Sequence, residues 1–341
     1  MKKKNKIAII VVASIVLAIC ICALTMSLYA NRAIDDREGN LFTQQWMKYL
    51  SDDALLTDVV IPGSHDAGSA EMMWMAETQN LYIYDQLNSG TRYIDLRVNL
   101  KKGEYYICHS IINGQKLERV LQDVNRFLDE NPSEVLLLDF QKFSGDGCKY
   151  EIYPYIEQML GDKILSKDSG ETAIDFISSL TVGEARGHCV LLWGSIEITP
   201  EQSNSLFIRD MDSDLRPNSV LHSYYTRANN TKPSKAYVDK VLDEYIEMFK
   251  KQVDGFFVLQ AQLTDPVFIV GPKFMEATHD KNMSAYVNAL KNDSEKLQYI
   301  NVIMRDFVGA RKNCEILALN LAKGLVGNIE EFQSGVESVI G

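Results

Sequence analysis

The chain has 341 residues, of which 46% are hydrophobic and 24% charged, with a formal net charge of -11. That length suits one barrel-sized domain of about 250 residues or more as well as two small ones, and the composition argues against a disordered chain. The acidic balance argues against nucleic acid, whose phosphates need a basic surface, and against broad adhesion to anionic lipid, although a local basic rim escapes the sum.

Lys2, Lys3, Lys4 and Lys6 precede an uncharged, largely apolar run of 22 residues from Ile7 to Leu28. At about 1.5 Å per residue such a run crosses a bilayer, with the lysines on the cytoplasmic side. A cleaved signal peptide is the rival reading, with Leu28-Tyr29-Ala30 a poor small-x-small site. Both readings place the remainder outside the cytoplasm, anchored to the membrane or secreted. Ile19 before Cys20 argues against a lipoprotein box. Asn31 to Asn40 is polar, carries five charges and suits a stalk. The expected organisation is therefore 1–30 anchor or signal, 31–40 stalk and 41–341 a single domain.

Phe42, Trp46 and Leu50 have helical spacing, which predicts a first helix over Leu41 to Leu50. Val59-Val60-Ile61 then reads as a strand that stops at Pro62-Gly63 and opens into Ser64-His65-Asp66. Met72 to Met75, with Trp74 among them, form an apolar cluster that either packs or makes a lip for lipid tails. Tyr93 to Val98 alternates, so Asp95 and Arg97 share one face of a second strand. Glu104 to His109 reads as a third strand, and Lys116 to Leu128 as a helix closed by Asn131-Pro132. Glu134 to Gln141 is nearly continuous in apolar residues, as in a parallel strand covered on both faces.

Further strands are expected at His188 to Trp193, Val220 to Tyr225, Gly255 to Leu263 and Ile300 to Met304, with helices at Ile152 to Leu160, Val238 to Phe249 and Ser284 to Leu290. Eight strands, mostly separated by helices, predict an α/β fold, a TIM-type (β/α)8 barrel that need not be regular. Cys108, Cys148, Cys189 and Cys314 lack zinc-ligand spacing, and their pairing stays open.

In such a barrel the carboxyl ends of the strands converge on one open face. His65 and Asp66 end the first strand, Asp95 and Arg97 lie on the second, His109 ends the third, and Asp139 and Gln141 end the fourth. Gln260 and Gln262 alternate on the seventh, where a pocket role and an inert lining role are equally open. Asp306 ends the eighth, next to the first in a closed barrel and so within reach of His65. Two imidazoles with carboxylates, on either side of a guanidinium, suit a phosphodiester: one base, one acid and a fixed positive charge for the phosphoryl oxygens. The plainer alternative for Asp95 and Arg97 is a buried ion pair. His188 and His222 read as packing or surface residues, with a pocket-lining role left open for His222, His279 as solvated, and Asn229-Asn230-Thr231 as a polar loop after the sixth strand.

Ile61-Pro62-Gly63-Ser64-His65-Asp66-Ala67, Gly90-Thr91-Arg92-Tyr93-Ile94-Asp95-Leu96-Arg97, His109 after its short strand, and Glu134 to Gln141 resemble the X-domain of phosphatidylinositol-specific phospholipases C, and more closely its compact X-domain-only, bacterial-type branch. The similarity runs from about residue 50 to 195 and resumes at Val302 to Asp306. The resemblance implies that His65 is the base for the inositol 2-hydroxyl, oriented by Asp306. It makes His109 the acid toward the diacylglycerol oxygen, supported by Asp66, and Arg97 the phosphate ligand with Asp95 beside it. Calcium-dependent members hold a carboxylate where Arg97 stands, so no metal and no other cofactor is expected here. The implied partner is a phosphoinositide-type lipid or related phosphodiester in a membrane, met by a monomer. The inositol-gripping lysine and arginine of the secreted bacterial enzymes are replaced by Gln141 and Gly194, and His222 stands for their aspartate, while Tyr224 takes the place of a stacking tyrosine. A catalytically silent X-domain that binds a phospho-head group or a protein is the alternative. A glycerophosphodiester phosphodiesterase would want a metal-binding carboxylate cluster.

Overall fold

The computed structural model describes residues 2–35, 37–210, 216–225, 231–232, 234–251, 254–265 and 270–341. Among the described residues one sheet contains β1 (Ile61–Ser64), β2 (Tyr93–Lys101), β3 (Glu104–His109), β4 (Ile112–Lys116), β5 (Leu136–Ser144), β6 (Cys189–Trp193), β7 (Leu206–Ile208), β8 (Leu221–Ser223), β9 (Phe256–Gln260) and β10 (Val302–Arg305). Eight of them run parallel in the order β7-β6-β5-β2-β1-β10-β9-β8. The two ends of that path meet where Val220 N donates to Ile208 O and Asp210 N to Leu221 O, both at 2.9 Å. The expected TIM-type barrel is therefore present, nearly closed, with one narrow seam.

Its membership differs from the expectation at two strands. Glu104–His109 is not a stave of the barrel: β3 pairs antiparallel with β2, Val98 opposite Ile107, and continues into β4 as a hairpin. The cause is the two-residue turn at Lys102-Gly103, where both residues have positive φ (54° and 78°). A turn that short returns the chain antiparallel, whereas a parallel neighbour needs a crossover of a dozen residues or more. The missing stave is β7, only three residues long and with no alternation to mark it.

Along each stave one face looks into the barrel and the other toward the helices. Ile61, Tyr93, Leu137, Leu192, Phe207, Val258 and Met304 fill the interior down to a floor closed by Trp46 and Phe332. Ile94, Leu96, Leu138 and Phe140 face the helices Leu117–Glu130 and Cys148–Leu160. Phe257, Leu259 and Ile303 face the helices Lys235–Phe249 and Gly271–Leu290. The same parity that sends Ile94 and Leu96 outward turns Asp95 inward.

Arg92, fully buried at the entry of β2, is structural. It donates to Glu134 Oε2 at 2.9 and 2.7 Å and to the carbonyls of Leu87, Thr91 and Gln44. Charge pairs of this kind are destabilising by about 3–5 kcal/mol when one partner is removed. The four barrel cysteines are buried free thiols, and burial pushes that of Cys189 up to about 12. The first predicted helix is instead a short turn, Leu41–Gln44, capped by Asn40, followed by a 3-10 turn at Trp46–Tyr49.

Candidate active site

The parallel register of β1 and β10 places Ser64 opposite Arg305, and His65 N donates to Arg305 O at 3.1 Å. The residues just past that pair are His65 and Asp306, and their side chains meet at 2.7 Å, Nδ1 to Oδ1. Gln79 ties the two strand ends together by donating to the carbonyls of His65 (2.9 Å) and Arg305 (3.0 Å). Its Oε1 accepts from Val308 N at 2.9 Å. Asp66 takes a left-handed φ of 43°. Its amide donates to Asp95 Oδ2 at 3.1 Å, which turns its carboxylate back over the barrel mouth.

Arg97 lies at the centre of these groups. Its Nε is 2.7 Å from Asp66 Oδ1, and its Nη2 is 3.2 Å from both Asp95 Oδ2 and His65 Nε2. With Nδ1 of His65 donating to Asp306, Nε2 carries the lone pair that accepts from Arg97, which is the tautomer a base requires. Asp66 Oδ2 lies between the imidazoles, 3.4 Å from His65 Nε2 and 3.7 Å from His109 Nε2. His109, on the hairpin rather than on a stave, donates from Nδ1 to the Ala76 carbonyl at 2.9 Å. Both imidazoles line one cavity of about 70 Å³, together with Thr78, Thr264 and Asp306.

The charges reinforce one another. Burial favours neutral His65, but the Asp66 and Asp306 carboxylates outweigh it and raise the imidazole above its ordinary value. Burial would likewise lift Asp66, yet Arg97, the two histidines and Lys142 hold it below the usual carboxylate range. Asp306 is raised by burial despite its pairing with His65. His65, Asp66 and Asp95 bring their ligand atoms within 4.8 Å of one another, close enough to hold a metal ion. All three are also the groups that Arg97 contacts, so the guanidinium stands where a cation would be bound.

Around this group is a second polar layer, in which Asp139 stands opposite Asp95 in the ladder. Asp139 accepts from the Tyr93 hydroxyl and pairs with the fully buried Arg209, Oδ1 to Nε at 3.2 Å. Burial lifts the Asp139 carboxyl to about 6 in spite of Arg209. Gln260 and Gln262 are buried, the second donating to the first and the first to Ser223. Gln141 is also buried, and its Oε1 has no hydrogen-bond partner among the described residues. An irregularity in the β2–β5 ladder between Leu96 and Arg97 puts Lys142, not Gln141, opposite Arg97.

Tyr224 is not brought to the site. Parity sends it outward among Val238, Leu242 and Phe257, whereas the neighbouring Tyr225 meets Thr264 of the cavity wall. Burial pushes the Tyr225 phenol up to about 12. His222 also points outward, to Asp210 at 2.6 Å and Phe249, in keeping with a packing role. His279 is buried and bonded to the Ala261 carbonyl, not solvated. Asn229 and Asn230 lie outside the described residues. Gly194 has no room for a side chain, because a Cβ there would lie 2.0 Å from the Gln141 carbonyl. A guanidinium nevertheless reaches it, since Arg216 Nη1 donates to Gly194 O at 2.8 Å.

Arg209 and Tyr225 were not anticipated. Arg209 had a signal, an arginine directly after the short apolar run Leu206-Phe207-Ile208, of the same form as Asp306 after β10. Met72 packs inward, whereas Met73 and Trp74 are about half exposed.

The family model described as PI-PLC X 1 matches residues 53–144. The chain is 34% identical over 281 residues to a 1-phosphatidylinositol phosphodiesterase of Listeria monocytogenes, covering 79% of this chain and 83% of that relative. It is 32% identical over 122 residues to human PI-PLC X domain-containing protein 2, covering 26% of this chain and 39% of the relative. The solved phosphatidylinositol-specific phospholipase C from Listeria monocytogenes superposes with a TM-score of 0.61 at 23% identity, over 82% of this chain and 98% of that one. A mutant of the Staphylococcus aureus enzyme gives 0.58 at 17% identity, over 81% and 96%.

Proposed function

Because the chain belongs to the phosphatidylinositol-specific phospholipase C X-domain family, we propose that it is a metal-independent lyase that cleaves the phosphodiester of a phosphatidylinositol-type lipid. The observation that carries this reading is Asp66 held between two imidazoles that open onto one cavity, with Arg97 against both Asp66 and His65. His65 Nε2 takes the proton of the inositol 2-hydroxyl, whose oxygen attacks phosphorus. The bond from phosphorus to the diacylglycerol oxygen breaks, and His109 gives that oxygen a proton. Arg97 offsets the charge on the non-bridging oxygens, and Asp95 and Asp66 hold its fork in place. The products are diacylglycerol and a cyclic inositol phosphate.

A carboxylate on Nδ1 raises the basicity of the catalytic imidazole. The acid limb of kcat/KM against pH is therefore expected above the ordinary imidazole value of about 6.5, since His65 must be neutral to act. Asp306→Asn is expected to move that limb to lower pH and to slow turnover. A limb that the substitution leaves in place would detach Asp306 from the base.

Ring recognition falls to the second layer of Asp139, Gln141, Gln260 and Gln262, joined by Arg209 and Tyr225. Full-length protein in mixed micelles with excess chelator is expected to turn over phosphatidylinositol and to spare phosphatidylcholine, phosphatidylethanolamine and phosphatidylglycerol. Turnover of another head group would reassign the substrate, and binding without turnover would favour the silent module.

A further inference from the structure

The stretch between the apolar helix and the barrel does not hang free. The Tyr29 ring packs on that of Phe274, with centroids 5.1 Å apart, and the Arg32 guanidinium lies over Tyr29. Ala33 is fully buried. Asp35 is buried too, and its Oδ2 accepts from Lys312 N at 2.9 Å, in the first turn of the helix Ala310–Leu317. Arg37 donates to the Val339 carbonyl. By contrast the apolar helix itself, Ile9 to Leu28, remains exposed along its length.

The place of attachment matters. In a parallel barrel the helix that follows a strand starts at the strand's carboxyl end, the end that carries the site. Phe274 is in the first turn of the helix after β9, and Lys312 is in the first turn of the helix after β10. Gly271, three residues or about 5 Å of helix before Phe274, lines the cavity with His65 and His109. It also packs against Trp74, whose ring a Cβ on Gly271 would meet at 2.9 Å. Tyr29, Phe274, Gly271 and Trp74 thus form one continuous edge, on the site side and far from the Trp46 floor. Trp74 and Met73 are about half exposed on that edge, and Ile111, two residues beyond His109, is 93% exposed.

We infer that the strap from Tyr29 to Asp35 locks the mouth of the barrel against the bilayer that the apolar helix spans, so that the enzyme takes lipid from its own membrane. Ile9 to Leu28 supply about 30 Å of helix, one hydrocarbon thickness. They enter that bilayer at the rim, which leaves the half-exposed Met73 and Trp74 facing its surface. The nature of the lipid rests on the phospholipase reading; the orientation does not.

The test reconstitutes the full chain into phosphatidylcholine vesicles containing one fluorescent phosphatidylinositol and mixes them with protein-free vesicles containing a second. Cleavage in the host vesicles is expected to exceed that in the others by on the order of 100-fold, as a tethered encounter should, and to be unaffected by dilution. Equal rates in the two populations would overturn the inference. In a parallel arm, host vesicles of brominated phosphatidylcholine are expected to quench a component of tryptophan emission that Trp74→Phe removes, and no such component would also overturn it. Quenching without turnover in vesicles or micelles would leave the orientation standing and sink the phospholipase reading instead.

Discussion

His65→Ala and His109→Ala are each expected to lower kcat/KM toward phosphatidylinositol by on the order of 1,000-fold or more, with the barrel still folded. Removing a positioned acid or base typically costs about 100- to 10,000-fold, and the proposed mechanism places both proton transfers on these two side chains. Neither imidazole is packed into the apolar interior: both line the cavity, and their partners are polar. Thermal unfolding of both variants is therefore expected near that of the parent. The two are separable by leaving group. An aryl phosphodiester of inositol, whose departing oxygen needs no proton, is expected to recover much of the His109→Ala loss and little of the His65→Ala loss. Equal recovery in both would reverse or remove the assignment of base and acid.

Arg97→Asp is expected to abolish activity in chelator and to make any residual turnover depend on calcium. The guanidinium holds Asp66, Asp95 and His65 at 2.7, 3.2 and 3.2 Å, so it neutralises a group that without it presents clustered ligand atoms around one point. A fourth ligand from the substituted aspartate would complete an oxygen-rich site of the kind calcium prefers. Arg97→Lys is expected to lose about 100-fold, since a point charge cannot reproduce the fork that spans Asp66 and Asp95. Unchanged rates for either variant in chelator would remove Arg97 from the chemistry.

Much of this site was legible because strand ends carry chemistry in a parallel barrel. His65, Asp66, Asp95, Arg97 and Asp306 could be placed by parity and by the adjacency of the first and last staves alone. His109 arrived at the same cavity by another route, from a hairpin that rides on β2. The Lys102-Gly103 turn is the local sign of that hairpin, two residues of positive φ that return the chain antiparallel. β7 escaped notice because three residues are too few for a period to show. The shift from Tyr224 to Tyr225 has a similar origin: a single residue of register exchanges the pocket for the helix layer, and β8 is as short as β7. His279 looked solvated because its neighbours in sequence are charged, yet Glu276 and Asp280 are drawn inward by Arg305 and Lys312. Such pairings link residues more than twenty positions apart, and no local pattern announces them.

The polar interior also sets what the fold gives up for function. Asp95 Oδ1 and Gln141 Oε1 are buried without a hydrogen-bond partner among the described residues. Such atoms are rare in folded proteins and destabilising, and they concentrate where a ligand completes them.

The most direct measurement is phosphorus NMR of the full-length protein turning over phosphatidylinositol micelles in excess chelator. The mechanism proposed here yields the resonance of a five-membered cyclic inositol phosphate as the first product, absent with His65→Ala. A linear inositol phosphate with no cyclic precursor, or a signal that appears only when calcium is restored, would contradict it.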